Sequence, residues 1–199
     1  DMAVDGIMVT NPAGAANTAN VIVGSRHDGT VGAPIRVLTI GASGISMSSA
    51  TKAIRIDAGV KLGANQTWSV IDANTVGNPS GFNNGEDVAF LAPALTDFDM
   101  NGRTLTTSGT GQITLSSGYT LRNGTVNIGN NLFVVQGGTN RLTTIASTAS
   151  INIATGSQLR LQSNSGALNS AAAITTNGTL RLLNNNSGQP VTQSGALTV

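Results

Sequence analysis

Short stretches of alternating apolar and polar residues recur along the second half of the chain. In four places two apolar residues stand two positions apart, which is the period of a β-strand and not of a helix. These pairs are Ile113/Leu115, Leu132/Val134, Ile151/Ile153 and Ala172/Ile174. In another kind of stretch an arginine lies between two leucines, as in Leu159-Arg160-Leu161. This pattern predicts a strand whose leucines point inward and whose arginine points outward.

A regular spacing connects these stretches. Four arginines recur at one constant interval and a fifth follows after a slightly longer one, namely Arg103, Arg122, Arg141, Arg160 and Arg181. A glycine precedes three of them by four positions, where a tight corner between strands needs it. Self-similarity at a fixed period of roughly 20 residues is typical of a solenoid. The pattern therefore predicts an all-β fold, a parallel β-helix with coils of about 19 residues that stack about 4.8 Å apart.

The same spacing extends toward the N-terminus. Arg36 and Arg55 are separated by the same interval, so the β-helix is expected to cover residues 35–199. Residues 1–34 are less regular and are expected to form irregular N-terminal coils or a cap over the open strand edges. Residues 77–86 are rich in glycine, asparagine and other turn residues and do not alternate. They predict a loop insertion that protrudes from the stack.

The composition is compatible with such a fold. Glycine, serine, threonine and asparagine make up 89 of the 199 residues, which suits corners and outward-facing positions. The absence of cysteine excludes a disulfide scaffold. The sequence contains no apolar run long enough to span a membrane and no basic-then-apolar leader. We therefore expect no membrane span, and a mature form or a fragment of a longer protein.

Charge is distributed unevenly between the two halves of the chain. Residues 1–99 carry five basic and nine acidic side chains, a net charge of −4, whereas residues 100–199 carry five arginines and no acid, a net charge of +5. Two halves of opposite net charge predict head-to-tail attraction between copies, or an anionic partner for the second half. The alternative is that the five arginines only keep a polar surface soluble.

Three segments resemble a known family. They are Leu38–Ile45, Val60–Val70 with the run Leu62-Gly-Ala-Asn-Gln-Thr-Trp68, and Phe98–Leu105. Together they are similar to the autotransporter-associated β-strand repeat proteins and to autotransporter passenger regions. The resemblance covers roughly residues 5–199 and implies a right-handed parallel β-helix that is extracellular or displayed on a bacterial cell surface. It implies no catalytic motif and no cofactor, and Trp68 is expected to lie in the core.

Two groups of polar residues are candidates for chemistry. Asp97, Asp99 and Asn101 precede Gly102 with the spacing of a calcium-loop opening, although the twelfth position is Ser108 where that loop has glutamate. The simpler interpretation is an Asp/Asn corner at the end of a coil. Asp97 and Asp99 are also the only nearby acids for glycan hydrolysis, which needs two carboxylates facing one cleft. No nucleophile or metal-ligand motif accompanies them, so we expect that the protein is not an enzyme.

The five arginines allow three interpretations. They form a solvated row, a linear site for an anionic polysaccharide, or a contact with the acids of a neighbouring copy. Nucleic acid is the weakest partner because no aromatic residues interleave with them. A threonine three positions after several arginines suggests ice binding, which the nearby arginines disfavour.

We therefore expect an extracellular structural or adhesive β-helix that assembles end to end into a fibre or forms a segment of a larger surface protein. The alternative is a carbohydrate-binding or carbohydrate-processing β-helix of the tail-spike or lyase type.

Overall fold

The computed structural model describes residues 1–9, 21–24, 36–47, 53–71, 88–90, 95–116, 118–137, 142–163, 166–184 and 189–199. Within these residues every regular element is a strand. The strands are β1 (Met2–Met8), β2 (Val21–Gly24), β3 (Val37–Ser46), β4 (Ile54–Asp57), β5 (Gly59–Leu62), β6 (Gln66–Ser69), β7 (Val88–Phe90), β8 (Thr96–Leu115), β9 (Tyr119–Gly137), β10 (Thr143–Ile145), β11 (Ala149–Ile153), β12 (Gln158–Ser163), β13 (Leu168–Ser170), β14 (Ala173–Thr176), β15 (Thr179–Asn184), β16 (Val191–Gln193) and β17 (Leu197–Thr198).

The strands pair in parallel with strands of the neighbouring coil, which makes the molecule a β-solenoid. The first face is built by the start of β1, then β3, β5, β8, β9, β10, β13 and β16. The second face follows the end of β1, then β3, β6, β8, β9, β11, β14 and β17. The third face comprises β2, β4, β7, β8, β9, β12 and β15. The predicted all-β solenoid of stacked parallel coils is confirmed.

The coil length predicted from the arginine spacing is wrong, because neighbouring coils are about 23 residues apart. The offset between paired residues also varies around each coil. It is longer where Thr96 pairs with Tyr119 than where Ile113 pairs with Phe133. It is longer still where Phe133 pairs with Leu159 of the next coil. Corners absorb these differences, since a strand must keep its alternation but a corner can gain or lose residues.

The predicted loop at 77–86 lies outside the described residues. The coil that contains it is long, because Ile54 pairs with Val88, a wider separation in sequence than between paired residues of the later coils. In the predicted N-terminal region 1–34, the described strands β1 and β2 pair in parallel with β3 and β4, as ordinary coils do.

An aromatic cluster from three successive coils fills part of the interior. Trp68 is fully buried, as expected from the sequence, and stacks on Phe90 with ring centroids 5.3 Å apart. Phe98 contacts both rings edge-on, and Tyr119 contacts Phe90. The Tyr119 hydroxyl donates a hydrogen bond to the Ala58 carbonyl oxygen at 2.5 Å, and burial followed by the charge of Asp57 raises the pKa of Tyr119. The large side chains thus sit inside the coils and leave the outer faces to small polar residues.

The corner after the second face of β8 depends on one glycine. Gly109 has φ 102°, and an added Cβ would lie 2.1 Å from the Val70 carbonyl oxygen of the preceding coil. That oxygen also accepts the Gly111 N–H at 3.0 Å, so it cannot move away without losing a hydrogen bond between coils. Gly156 also has a positive φ, 80°, but an added Cβ there would meet no atom within 4 Å.

We therefore expect Gly109→Ala to lower the free energy of unfolding by about 1–3 kcal/mol more than Gly156→Ala does. Both variants carry the strain of alanine at positive φ, so their difference isolates the contact with Val70. Urea unfolding of the two variants measures it, and equal losses would show that the corner relaxes freely.

Candidate functional site on the second face

The arginines predicted to form one column lie on different parts of the solenoid. Arg103 is exposed at the start of the second face and pairs with Gly124, whereas Arg122 ends the first face and pairs with Asp99. Arg160 and Arg181 pair with each other on the third face. Arg141 lies outside the described residues. The interval between most of the arginines is shorter than the coil length of about 23 residues, so Arg103, Arg122 and Arg160 do not share one column.

Arg160 and Arg181 are the two described arginines that the register brings together. Burial, and secondly the charge of Arg181, lower the pKa of the Arg160 guanidinium. Its Nη2 donates to Gln158 at 3.4 Å, and its buried Nε has no hydrogen-bond partner among the described residues. Of the five arginines predicted to bind an anionic polysaccharide, these are the two that lie next to each other. A role of this pair in binding or assembly stays a prediction.

The candidate calcium ligands are engaged by other groups. Arg122 Nη2 lies 2.6 Å from the Asp97 carboxylate and 3.5 Å from that of Asp99. The other oxygen of Asp99 accepts the Asn101 N–H at 2.8 Å and an Asn123 side-chain N–H at 3.1 Å. Asn101 has φ 53°, which suits a left-handed corner. These contacts engage one carboxylate oxygen of Asp97 and both of Asp99. The described residues contain no cluster of three His, Cys, Asp or Glu side chains that could hold a metal ion.

The second face instead carries a regular array that the arginine spacing did not reveal. One outward column runs through six successive coils in direct register and consists of Thr67, Thr106, Asn127, Asn152, Thr175 and Thr198. A neighbouring column consists of Thr104, Thr125, Ser150 and Ala173. Successive members of each column lie about 4.8 Å apart, the spacing of paired strands. We call these two columns the polar array.

Hydrogen bonds within the polar array orient its side chains. The Asn152 side-chain N–H donates to the Asn127 side-chain oxygen at 2.8 Å, and the hydroxyls of Thr125 and Ser150 lie 2.9 Å apart. An asparagine amide has two donors and two acceptor lone pairs, so a single amide–amide bond leaves most of its capacity available. The array therefore presents further hydrogen-bond donors and acceptors along the solenoid axis.

A groove follows the polar array. One part has a volume of about 430 Å³ and is lined by Thr106, Asn127, Ile128, Gly129, Asn152, Ile153, Ala154, Thr175 and Asn177. A second part, about 520 Å³, is lined by Ala42, Ser43, Asn65, Gln66, Thr67, Thr104 and Thr106. Thr106 lines both parts, and we call the two parts together the groove. The lining contains no charged residue.

Comparison with known protein families, curated proteins and solved structures finds no match to this chain. The resemblance to autotransporter repeats thus stays an expectation beyond the β-solenoid fold itself. The part of the chain that the structure describes contains no helix long and apolar enough to cross a membrane.

Sequence analysis missed the polar array because it grouped threonines by the wrong period. Of the residues three positions after an arginine, Thr106 and Thr125 fall in different columns, Thr144 lies on the first face and Ser163 on the third. The sequence feature that marks the polar array lies within single strands. Two polar residues flank one buried apolar residue in Thr104-Leu105-Thr106, Thr125-Val126-Asn127 and Ser150-Ile151-Asn152.

Proposed function

We propose that this chain is an extracellular structural or adhesive β-solenoid that assembles end to end with further copies into a fibre, or that it forms a segment of a larger surface protein. The observation that carries the proposal is the state of the two ends of the stack. Among the described strands, those of the first and last coils have a neighbouring strand on one side only, and these coils carry exposed apolar side chains. The extracellular setting rests on the resemblance to autotransporter repeats.

The exposed apolar residues are concentrated in the terminal coils. In the first coil, Met2 is 53 % and Met8 76 % exposed. In the last coil, Leu182, Leu197 and Val199 are 49 %, 52 % and 96 % exposed. The other large exposed apolar residues among those described are Leu95 and Leu142. Apolar side chains at an open strand edge favour pairing with another strand, because pairing satisfies the backbone and buries the side chains together.

The two ends are also complementary. The first coil offers a strand edge on all three faces through β1 and β2, and the last coil does so through β15, β16 and β17. A parallel ladder can continue across such a junction with the same spacing as within the molecule. The first coil carries Asp1 and Asp5, whereas the last carries Arg181. Their attraction favours a head-to-tail junction over a head-to-head one.

The carbohydrate-processing alternative has less support. Asp97 and Asp99, its candidate acids, lie on the first face and both contact Arg122, and neither lines either part of the groove.

Electron microscopy of the purified protein at low and high salt tests end-to-end assembly. We expect filaments with an axial repeat of about 38 Å, since eight strand segments stack on the first face at about 4.8 Å each. Filaments are expected to shorten at high salt, because salt screens the charges at the junction.

Two matched pairs of variants locate the junction. Leu197→Lys at the last coil should prevent filaments, whereas Leu95→Lys, also exposed but in the middle of the stack, should not. Arg181→Glu should weaken assembly more than Arg103→Glu does. Rods of single-molecule length under every condition, or equal effects of the paired variants, would contradict the proposal.

A further inference from the structure

We propose that the groove along the polar array binds an uncharged polysaccharide chain that lies parallel to the solenoid axis. The proposal concerns the side of the solenoid, whereas the assembly proposed above concerns its ends, so either can fail without the other. It rests on three features of the groove, which are its repeat, its lack of charge and its amphipathic lining.

The repeat of the groove suits a polymer. Thr106, Asn127, Asn152 and Thr175 present hydroxyl and amide groups once per coil, at about 4.8 Å intervals. A ligand that makes equivalent contacts in successive coils must itself repeat hydroxyl groups along its length. A polysaccharide does so, and each of its hydroxyls both donates and accepts hydrogen bonds, as asparagine and threonine side chains do.

The absence of charged residues from the groove favours uncharged polymers over charged ones. No charged residue lines either part of the groove. An acidic polysaccharide or a nucleic acid gains most of its affinity from arginine and lysine, which the groove does not offer. The stacked pair Arg160 and Arg181 lies on the third face, and thus cannot serve a ligand in this groove. An uncharged chain avoids the cost of removing charges from water.

The lining is amphipathic in the way that a sugar ring is. Asn127, Asn152 and Asn177 supply amides, while Gly129 and Ala154 contribute no polar side-chain atom. The small size of these two residues makes the surface concave where the sheet would otherwise be flat. A sugar ring carries hydroxyls around its rim and C–H groups on its faces, so it can place its rim against the amides and a face against Gly129 and Ala154.

The energetics predict weak single contacts and a dependence on ligand length. Each hydrogen bond contributes little net free energy, because water competes for the same groups. The described aromatic side chains, Trp68, Phe90, Phe98, Tyr119 and Phe133, are all buried and cannot stack on a sugar. Affinity must therefore accumulate over several coils on one chain, as it does in multivalent binding.

Affinity electrophoresis in gels containing a single polysaccharide tests the proposal. The panel is dextran, mannan, xyloglucan and laminarin as uncharged chains, with alginate as an acidic one. We expect at least one uncharged polysaccharide to retard the protein at both low and high salt. The short oligosaccharides of that polymer should compete poorly, and longer ones should compete better.

Variants connect the retardation with the groove. The double change Asn127→Ala and Asn152→Ala should reduce affinity at least about tenfold, since it removes two amides with their hydrogen bonds. Asn169→Ala, exposed on the first face, is the matched control and should bind as the original chain does. Ala154→Arg, at an exposed position, should block the groove without removing an amide. Thermal unfolding followed by circular dichroism verifies that each variant is folded.

Several results would overturn the proposal. They are no retardation by any uncharged polysaccharide, retardation that the groove variants leave unchanged, and binding to alginate alone that Arg160→Ala abolishes. Inhibition of ice growth in the absence of polysaccharide binding would assign the array to ordered water instead. Leu197→Lys should not alter the retardation, and a loss there would mean that assembly and not the groove creates the site.

Discussion

Replacing Trp68 with alanine is expected to lower the free energy of unfolding by about 3–5 kcal/mol, the usual range for removing a large aromatic side chain from a core. Trp68 is 0 % exposed and contacts Phe90 and Phe98, whose ring centroids lie 5.3 Å and 5.8 Å from its own. The indole N–H also donates to the Gln66 side-chain oxygen at 2.7 Å. Alanine leaves both a cavity and a buried acceptor without its donor.

Urea unfolding followed by circular dichroism measures this loss, because Trp68 is the sole tryptophan and its removal abolishes the fluorescence signal. Coils of a solenoid contact only their neighbours, so the damage should be local. Hydrogen exchange should therefore rise most in β6, β7 and β8. Leu95→Ala, at an exposed position, is the control and should change stability little. A loss below about 1 kcal/mol for Trp68→Ala would show that the aromatic cluster does not hold these coils together.

Asn130→Asp is expected to destabilise the fold by several kcal/mol at neutral pH. Asn130 is 1 % exposed at the corner between the second and third faces. Its amide N–H groups donate to the Gly111 and Leu132 carbonyl oxygens at 2.9 Å and 2.8 Å, and its oxygen accepts from the Thr107 hydroxyl at 2.7 Å. Aspartate replaces the two donors with a carboxylate oxygen that faces two carbonyl oxygens, so a buried charge meets repulsion where the amide had bonds.

The pH dependence of this variant has a definite sign. Burial and the two carbonyls should raise the pKa of the new carboxyl in the folded state above its unfolded value of about 3.9. Below that value the carboxyl is protonated in both states and the charge penalty is absent. As pH rises from there through the folded-state pKa, the penalty develops in full, so stability falls relative to the original protein.

Unfolding free energies of Asn130→Asp at acidic and neutral pH, each referred to the original protein, test this expectation. Asn169→Asp places the same charge at an exposed position on the first face and should show little pH-dependent loss. A pH-independent loss in Asn130→Asp would mean that the lost hydrogen bonds, and not the buried charge, determine its stability.

The alternation of apolar and polar residues predicted the strands correctly. The spacing of the arginines did not predict which strands pair between coils. Leu159 and Leu161 are buried and Arg160 between them is half-exposed, as the alternation predicts. The arginine spacing nevertheless aligned Ile113 with Ile151, although Ile113 lies on the third face and Ile151 on the second. Each coil contains three short strands with the same alternation, so a wrong period still matches strand with strand.

Residue spacing likewise failed to predict which polar side chains meet at the candidate site. The sequence placed Asp97 and Asp99 in one candidate site and Arg122 in another, yet the fold brings the three together on the first face. No sequence motif distinguished Asn127 and Asn152, although the register of the strands places them side by side in the groove. Asn130 looks like any other corner asparagine in the sequence, and only its three hydrogen bonds distinguish it.

The sequence by itself determined that the chain forms short strands, which residues of each strand point inward, and that the strands belong to a stacked solenoid. These properties depend on period-two alternation and on corner residues, both of which act over a few neighbours. The tertiary structure decided the length of each coil, the face on which each strand lies, and therefore which outward residues meet. Those depend on how many residues each corner absorbs before the next strand pairs about 4.8 Å away. Register is a relation between coils, and it arises from packing the large side chains of several coils into one interior.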